Sequence, residues 1–369
     1  MLEETSLALT IEPEDDSINE IEVEKDDPIE SISPVAYYGA DYIVDDLVKK
    51  IQQGKIYIPN FQRNYVWNIK QASHFIESLL LGLPVPGIFL AEESDSQNLL
   101  VIDGSQRLRT LHYYYTGVFE DGREFKLTDV QQRFMNATYN SLSSGDRRQL
   151  GESLLHATIL KQDEFSDDNS GIYLTFERLN TSGISITSQE VRSGIYHGYF
   201  KDLLTELNTN KSWRAIYNNS SIPDKRLKDE ELILRFMALF DLHQEYKKPM
   251  ANFLNNYMET NKKENASLGI NRDLFVKTIE LIHRSIGNKA FRIRKKLNAA
   301  AFDSVMVGLA TIIINRTDID IQEETLKEIY DRLIHNEEFL SFVDTPRTTD
   351  DHAVKGRIDL AIKAFAEIP

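Results

Sequence analysis

The chain has 369 residues, of which 41% are hydrophobic and 27% charged, so it is long enough for roughly two to three domains with a substantial core. It contains no cysteine, which excludes disulfides, thiolate metal sites and cysteine nucleophiles and fits a reducing compartment. The first residues lack the basic start and long apolar run of a secretory signal, and no apolar run is long enough to span a bilayer. We therefore expect a cytoplasmic, soluble protein with no membrane partner.

The net charge of −16 is concentrated at the amino terminus. Residues 1–33 contain 12 acidic side chains and one basic side chain, Lys25, which gives −11. The other 336 residues contain 41 basic and 46 acidic side chains, which gives −5. Residues 1–33 are therefore predicted to be a disordered acidic tail that aids solubility. The near-neutral remainder neither excludes nor favours nucleic-acid binding.

Helical and extended patterns alternate over residues 34–165. In chain order they predict a helix over Tyr42–Gln53, extended chain over Lys55–Ile58, and a helix over Ile69–Leu81 capped by Asn68. They then predict strands over Gly87–Ala91 and Leu99–Asp103, a helix over Gln106–Tyr115, and short strands over Phe125–Leu127 and Thr158–Lys161. This mixture predicts an α+β domain over residues 34–165.

The pattern is helical after this point. Helices are predicted over Glu190–Leu207, Lys228–Leu242, Asn252–Thr260, Asn271–Ile286, Ala299–Ile314 and Glu323–Ile334. Residues 166–369 are therefore predicted to form an all-helical domain.

Two segments each place a Gln-Arg pair at a change from extended chain to helix. The first is IPNFQRNYVW, which contains Gln62 and Arg63, and the second is VIDGSQRLRTL, which contains Gln106 and Arg107. A single Gln-Arg pair arises easily by chance, but two pairs, each at a strand–helix transition, make a functional site as reasonable an interpretation as a plain turn.

The second segment has the features of an anion site. A buried strand ends at Asp103, and Gly104 permits a tight turn or a close backbone approach. The following helix presents free N–H groups and its positive dipole end, and Arg107 in the first turn can grip a phosphate. Asp103 would repel phosphate directly, so we interpret it as a Mg²⁺ ligand or a contact to sugar or base. The alternative is a plain turn in which Asp103 or Ser105 caps the helix.

Two further stretches are weaker candidates. In TFERLNTSG, Arg178 and Asn180 could face a ligand, although the same residues also fit a helix that ends in a polar turn. The most basic stretch, FRIRKKL, could contact DNA phosphates, although the sequence favours a solvated helix edge. Its basic side chains are those of Arg292, Arg294, Lys295 and Lys296.

Several common motifs are missing. The chain has no P-loop, no GxSxG elbow and no GxGxxG, and its eight histidines show no metal-binding spacing. A conventional P-loop NTPase is therefore excluded.

The combination IPNFQRNYVWN, ESLLLGLPVPGIFL and VIDGSQRLRTL resembles the amino-terminal domain of GmrSD-type modification-dependent restriction systems. The later FERLNTSGISITSQEVRSG fits the same family. The resemblance implies a fold like those of ParB and sulfiredoxin, followed by helices. It also implies nucleotide binding and, in several members, nucleoside-triphosphate hydrolysis that licenses DNA cleavage in phage defence.

Family residues carry over where this sequence matches. Asp103, Gly104, Gln106 and Arg107 match the family's DGQQR box, Gln62 and Arg63 match its upstream Gln-Arg, and Arg178 and Asn180 match its R-x-N segment. Ser105 replaces the first glutamine of the box, which puts hydrolysis in question while binding is kept. The family's two-part members carry a carboxy-terminal HNH nuclease with a histidine-centred site, which Asp351-His352 alone cannot build. We therefore expect this chain to be the nucleotide half of such a system, with any nuclease on a separate chain.

The leading hypothesis is a nucleotide-binding and NTP-hydrolysing regulatory protein of a restriction or anti-phage defence system. Arg63 and Arg107, with Gly104, Ser105, Arg178 and Asn180, would hold the nucleotide; Asp103 would organise Mg²⁺; and Gln62 or Gln106 would orient a water molecule. DNA would be contacted directly or through a separate nuclease subunit, and the oligomeric state stays open.

Two other classes of function also fit the sequence. One is a non-enzymatic DNA-binding module with a ParB-like fold that senses modified DNA. The other is a nuclease in which Asp103 and either Glu92 or Glu93 ligate a metal.

Overall fold

The structure is a computed structural model, and it describes residues 35–59, 65–93, 98–161, 170–179, 187–316 and 320–369. The acidic tail predicted for residues 1–33 lies outside these ranges, as do Gln62, Arg63 and Asn180.

A mixed sheet of five strands organises the first part of the chain. Its strands are β1 (Ala36–Ile43), β2 (Ile56–Tyr57), β3 (Ile88–Glu92), β4 (Leu99–Asp103) and β5 (Leu154–Lys161). Their order is β1-β5-β3-β4-β2. The outer pair β1–β5 and the pair β3–β4 are antiparallel, whereas β3–β5 and β2–β4 are parallel.

Helices cover both faces of this sheet. One face packs against α1 (Val44–Gln52), α2 (Ile69–Leu80), α3 (Ser105–Thr116) and α4 (Ser144–Glu152). The other face packs against α5 (Ser170–Leu179) and α6 (Ser188–Ile195). Side chains alternate between the two cores along β4, because Val101 joins the first and Ile102 the second.

Local sequence explains where α2 begins. The Asn68 side chain accepts from the Gln71 amide while the Gln71 side chain accepts from the Asn68 amide, which completes a capping box. The helix then buries Ala72, Phe75 and Ile76 against the sheet, as its spacing predicted.

The rest of the chain is helical and has its own large hydrophobic core. Its helices are α7 (Tyr199–Leu207), α8 (Lys211–Tyr217), α9 (Lys228–Leu242), α10 (Met250–Thr260), α11 (Ala266–Ile286), α12 (Ala299–Asn315), α13 (Glu323–Ile334), α14 (Glu337–Val343) and α15 (Asp351–Phe365). Within the described residues, no helix combines the length and apolar character needed to cross a lipid bilayer.

The core of this helical region contains a buried ion triad. Asp303 in α12 binds Arg235 in α9 through both carboxylate oxygens, at 3.1 and 2.6 Å, and binds Arg357 in α15 at 3.0 Å. All three side chains are at most 3% exposed. The triad therefore connects three helices at one point in the core.

The predicted α+β region followed by helices is confirmed, but several elements differ. Strand β1 replaces the predicted helical start at Tyr42, because the preceding residues pair with β5. Phe125 and Leu127 are buried, but they lie in a loop, and residues 125–127 belong to none of the described sheets. The helix predicted over Glu190–Leu207 is broken at Gly198, where φ is +124° and a β-carbon would lie 2.6 Å from the Lys262 carbonyl oxygen. The boundary near residue 165 stays a prediction.

The basic stretch is a β-hairpin and not a helix edge. Strands β6 (Arg292–Ile293) and β7 (Lys296–Leu297) pair directly, so Arg294 and Lys295 form a two-residue loop. Both loop residues have positive φ, +51° and +78°, which is the signature of a type I′ turn. Each such non-glycine residue costs on the order of 1 kcal/mol.

Candidate functional site

The turn from β4 to α3 carries the residues of the second Gln-Arg segment. Asp103 ends the strand, and Gly104 has φ of +98° in the left-handed region. A β-carbon on Gly104 would lie 2.4 Å from the Ile88 Cγ2 atom, so the turn needs glycine for both conformation and space. The chain therefore turns sharply at the carboxyl end of β4.

The first turn of α3 has no side-chain cap. Gly104 occupies the capping position, so neither Asp103 nor Ser105 serves as the N-cap considered from the sequence. Glycine has no side-chain oxygen, so the residue at the capping position cannot accept from the first amides of α3 as Ser, Thr, Asn or Asp would. A helix start in this state favours an anion.

Arg107 folds back over this turn. Its Nη2 atom donates to Asp103 Oδ2 at 2.8 Å, and its side chain is 16% exposed against 42% for Asp103. Its Nε atom lies 3.4 Å from the position that a Gly104 β-carbon would take. That Nε is buried and has no hydrogen-bond partner among the described residues. The guanidinium therefore keeps one unsatisfied donor beside the uncapped helix start.

Gln106 connects this turn to the first Gln-Arg segment. Its Oε1 atom accepts from the backbone amides of Val66 at 2.9 Å and Trp67 at 3.3 Å. Next to it, the hydroxyls of Tyr65 and Thr110 lie 2.8 Å apart. The chain that follows Gln62 and Arg63 is therefore held against the start of α3, although that pair itself lies outside the described residues.

The other predicted site residues lie elsewhere. Arg178 is exposed in the last turn of α5, on the sheet face opposite to α3, and Asn180 lies outside the described residues. The four basic residues at 292–296 belong to the hairpin of the helical region.

The metal pair considered for a nuclease is not formed. In the β3–β4 register Glu92 lies opposite Leu99, whereas Asp103 lies opposite Phe89. Leu99 and Asp103 are four residues apart along β4, so Glu92 and Asp103 lie roughly 13 Å from each other. Glu92 instead accepts from Tyr38, and Glu93 accepts from Tyr57. Among the described residues, no group of three or more His, Asp or Glu side chains is arranged to hold a metal ion.

The sequence did not indicate a cleft of about 620 Å³ between the β2 edge and helices α6 and α7. Tyr57 donates to Glu93 there, which leaves its oxygen to accept from His197 Nε2 at 2.9 Å. Burial lowers the pKa of His197 below its usual range, and the charge of Glu93 opposes this only in part. Tyr57 and His197 are separated by 140 residues in the sequence, so no local motif could have indicated this cluster.

Helix α6 has a structural role that the sequence motif did not show. Arg192 is 1% exposed, and its guanidinium donates to Gln189, Glu231 in α9 and Asn255 in α10. The preceding residue, Val191, packs into the core beneath β4. Helix α6 therefore joins the sheet to the helical region.

Comparison with known proteins places this geometry in context. Residues 44–197, less than half of the chain, match the family model for the N-terminal domain of GmrSD restriction endonuclease, which confirms the resemblance noted in the sequence. An uncharacterized protein of Methanocaldococcus jannaschii is 34% identical over 92 residues. That alignment covers 18% of this chain and 16% of the relative, so the chain spans about a sixth of that protein. No solved structure matches, and a ParB-like fold therefore stays an expectation.

Proposed function

We propose that this protein binds a nucleoside triphosphate at the β4–α3 turn and hydrolyses it with Mg²⁺, as the regulatory component of a restriction or anti-phage defence system. The match to a restriction endonuclease N-terminal domain supports the assignment to a restriction or defence system. The arrangement of Gly104, Arg107 and the first turn of α3 supports a phosphate-bearing ligand at this turn.

The observation that carries the proposal is the unsatisfied Nε of Arg107. A buried guanidinium donor without a partner is unfavourable, and a phosphate oxygen is its strongest common acceptor. The α3 amides beside it offer further donors to the same anion. Phosphate binding at this turn would therefore satisfy donors from the side chain and from the backbone.

The ion pair of Asp103 with Arg107 joins two side chains that a bound nucleotide could each engage instead. The ion pair neutralises a cation that would otherwise stand alone at the positive end of α3. A Mg²⁺-bound triphosphate offers a replacement for each partner, since Arg107 can take phosphate oxygen and Asp103 can take the cation. Binding thus exchanges one ion pair for two.

Asp103 suits a magnesium site of the kind that one or two carboxylates share with substrate phosphates and water. Bound Mg²⁺ would neutralise charge on the phosphates during transfer. The exposure of the Asp103 carboxylate, 42%, leaves room for such a shared site.

Gln106 and Gln62 would have different roles at this site. Gln106 Oε1 already accepts from Val66 and Trp67, so we assign it to positioning the first segment. Gln62 then remains the sequence-based candidate for orienting the attacking water. Arg63, Ser105, Arg178 and Asn180 remain candidates for nucleotide contacts.

Binding and phosphate release would be measured with ATP, GTP, CTP and UTP plus Mg²⁺, for the wild type, Arg107→Ala, Asp103→Asn and a control, Arg123→Ala. Arg107→Ala should weaken nucleotide binding at least about tenfold, or about 1.4 kcal/mol. Asp103→Asn should abolish phosphate release and reduce the dependence of binding on Mg²⁺. Arg123 is exposed and distant in sequence from the turn, so its loss should change neither.

The outcomes separate the hypotheses. Binding without turnover would retain the nucleotide site and attribute the loss of hydrolysis to Ser105. Folded wild-type protein that binds none of the four nucleotides would refute the proposal and favour the non-enzymatic DNA-binding module.

A further inference from the structure

We propose that the hairpin tip formed by Arg294 and Lys295 is a contact site for the phosphate backbone of duplex DNA. This inference does not depend on nucleotide binding, because the hairpin lies in the helical region, beyond the family match at residues 44–197. It begins from a conflict between the conformation of the tip and the residues that occupy it.

The conflict is conformational. A two-residue loop with positive φ at both positions is the usual place for Asn-Gly, because those residues adopt that region at least cost. Here the loop carries an arginine and a lysine, and Phe291 at the hairpin root also has positive φ, +63°. Such strain persists where the side chains are needed or the surroundings enforce it. No core contact enforces it at the tip, since Arg294 and Lys295 are exposed.

The root of the hairpin is rigid, in contrast to its tip. Ile293 and Leu297 are buried in the helical core, and the Phe291 amide donates to the Tyr330 hydroxyl at 2.8 Å. The Arg292 guanidinium donates to four backbone carbonyls, those of Asn288, Ala290, Ile216 and Tyr217. Arg292 is therefore a structural residue, and the cationic tip is presented from a fixed base.

The charge at the tip suits a polyanion. Arg294 is 73% exposed, and its ion pair with Asp344 at 2.6 Å is the kind of surface contact that contributes little and exchanges readily for phosphate. Lys295 is exposed beside Arg294, so the tip presents two adjacent basic side chains. Outside residues 1–33 the chain is near neutral, so a local concentration of positive charge of this kind favours contact with DNA.

Duplex DNA fits better than a lipid surface. The two tip residues are both cationic, whereas peripheral membrane binding also requires apolar side chains that enter the bilayer. An arginine can bind phosphate in a bidentate manner, and a narrow two-stranded ribbon can approach the duplex backbone. The hairpin has only two paired positions on each strand, so it would position the protein on DNA and would not read bases.

The decisive variant is Arg294→Asn/Lys295→Gly, which removes both charges and installs the preferred turn. If Arg294 and Lys295 serve DNA binding and not stability, this variant should melt at or above the wild-type temperature and yet bind DNA more weakly. The probe is a mixed-sequence duplex of two to three helical turns, titrated by fluorescence anisotropy between about 50 and 200 mM KCl. Affinity should fall about tenfold, and the slope of log K against log salt should decrease in magnitude by about two.

Two companion variants test charge separately from backbone strain. Arg294→Gln/Lys295→Gln removes charge without glycine and should weaken binding equally, which keeps the test valid if the first variant misfolds. Arg123→Gln/Lys126→Gln removes two exposed charges from the first region and should leave affinity within about twofold.

Three results would overturn the proposal. The first is folded wild-type protein that binds no duplex. The second is unchanged affinity and salt slope in both hairpin variants. The third is hairpin-dependent binding to phosphatidylserine vesicles without binding to duplex DNA. Nucleotide binding measured on the same samples would show whether the nucleotide site is retained when the hairpin prediction fails.

Discussion

The side-chain oxygen of Gln106 lies 2.9 Å from the backbone nitrogen of Val66, across 40 residues of sequence. The second Gln-Arg segment thus binds the carboxyl end of the first one. This contact gives the paired motifs a structural relationship that the sequence only suggested.

Replacing Gln106 with alanine should loosen this connection. The Val66 and Trp67 amides would lose their shared acceptor, at a cost of about 1–2 kcal/mol. Hydrogen exchange should accelerate at those two amides in Gln106→Ala and remain slow in Gln106→Glu, which keeps an acceptor. Equal exchange in both variants and the wild type would show that the contact does not order this chain in solution.

Gly104→Ala should destabilise the protein more than Gly117→Ala. Both glycines have positive φ at an end of α3, but only at Gly104 would a β-carbon meet a close neighbour, Ile88. We expect about 1 kcal/mol for Gly117→Ala and at least about 2 kcal/mol for Gly104→Ala. Urea denaturation monitored by fluorescence measures both. Similar losses would mean that Ile88 moves aside freely.

Removal of Asp303 should be severe. Asp303→Ala would leave Arg235 and Arg357 in the core without their shared carboxylate, which typically costs about 3–5 kcal/mol. The control Asp121→Ala removes the exposed partner of Arg123 and should leave the unfolding midpoint unchanged. A mild effect of Asp303→Ala would show that water reaches the two guanidiniums.

Stability should fall as the pH drops below about 6.5, in part because of His112. Burial, and secondarily the charge of Arg109, lowers the pKa of His112 below the usual value of about 6.5, and its Nδ1 atom is buried without a partner among the described residues. The unfolded state then binds the proton first, so the free energy of unfolding is lost as pH falls from 6.5 toward the folded pKa. His112→Gln should flatten this dependence between pH 7 and 5. Parallel curves for both proteins would contradict the assignment.

Local sequence predicted the β4–α3 turn because every step there is local. An apolar run ends at Asp103, glycine permits the reversal, and Arg107 follows within one helical turn. The ion pair between Asp103 and Arg107 was not predicted, although its i,i+4 spacing was visible. That spacing indicates proximity only once the helix is known to start at Ser105.

Other features depend on contacts that no local pattern carries. Strand β1 exists because it pairs with β5, more than 100 residues later, and Tyr57 meets His197 across 140 residues. The Arg294–Lys295 turn was hidden for the opposite reason: its residues are poor turn formers, so propensity pointed to a helix edge.

The adjacent residues Val191 and Arg192 fix the length of α6. One packs beneath the sheet, while the other bonds to α9 and α10. Inserting or deleting a single residue earlier in this helix would rotate both side chains by about 100°. An insertion would bring the valine to the polar partners of Arg192, and a deletion would bring the guanidinium into the apolar layer. Homologous chains that share this packing should therefore tolerate substitutions in α6 but not changes in its length.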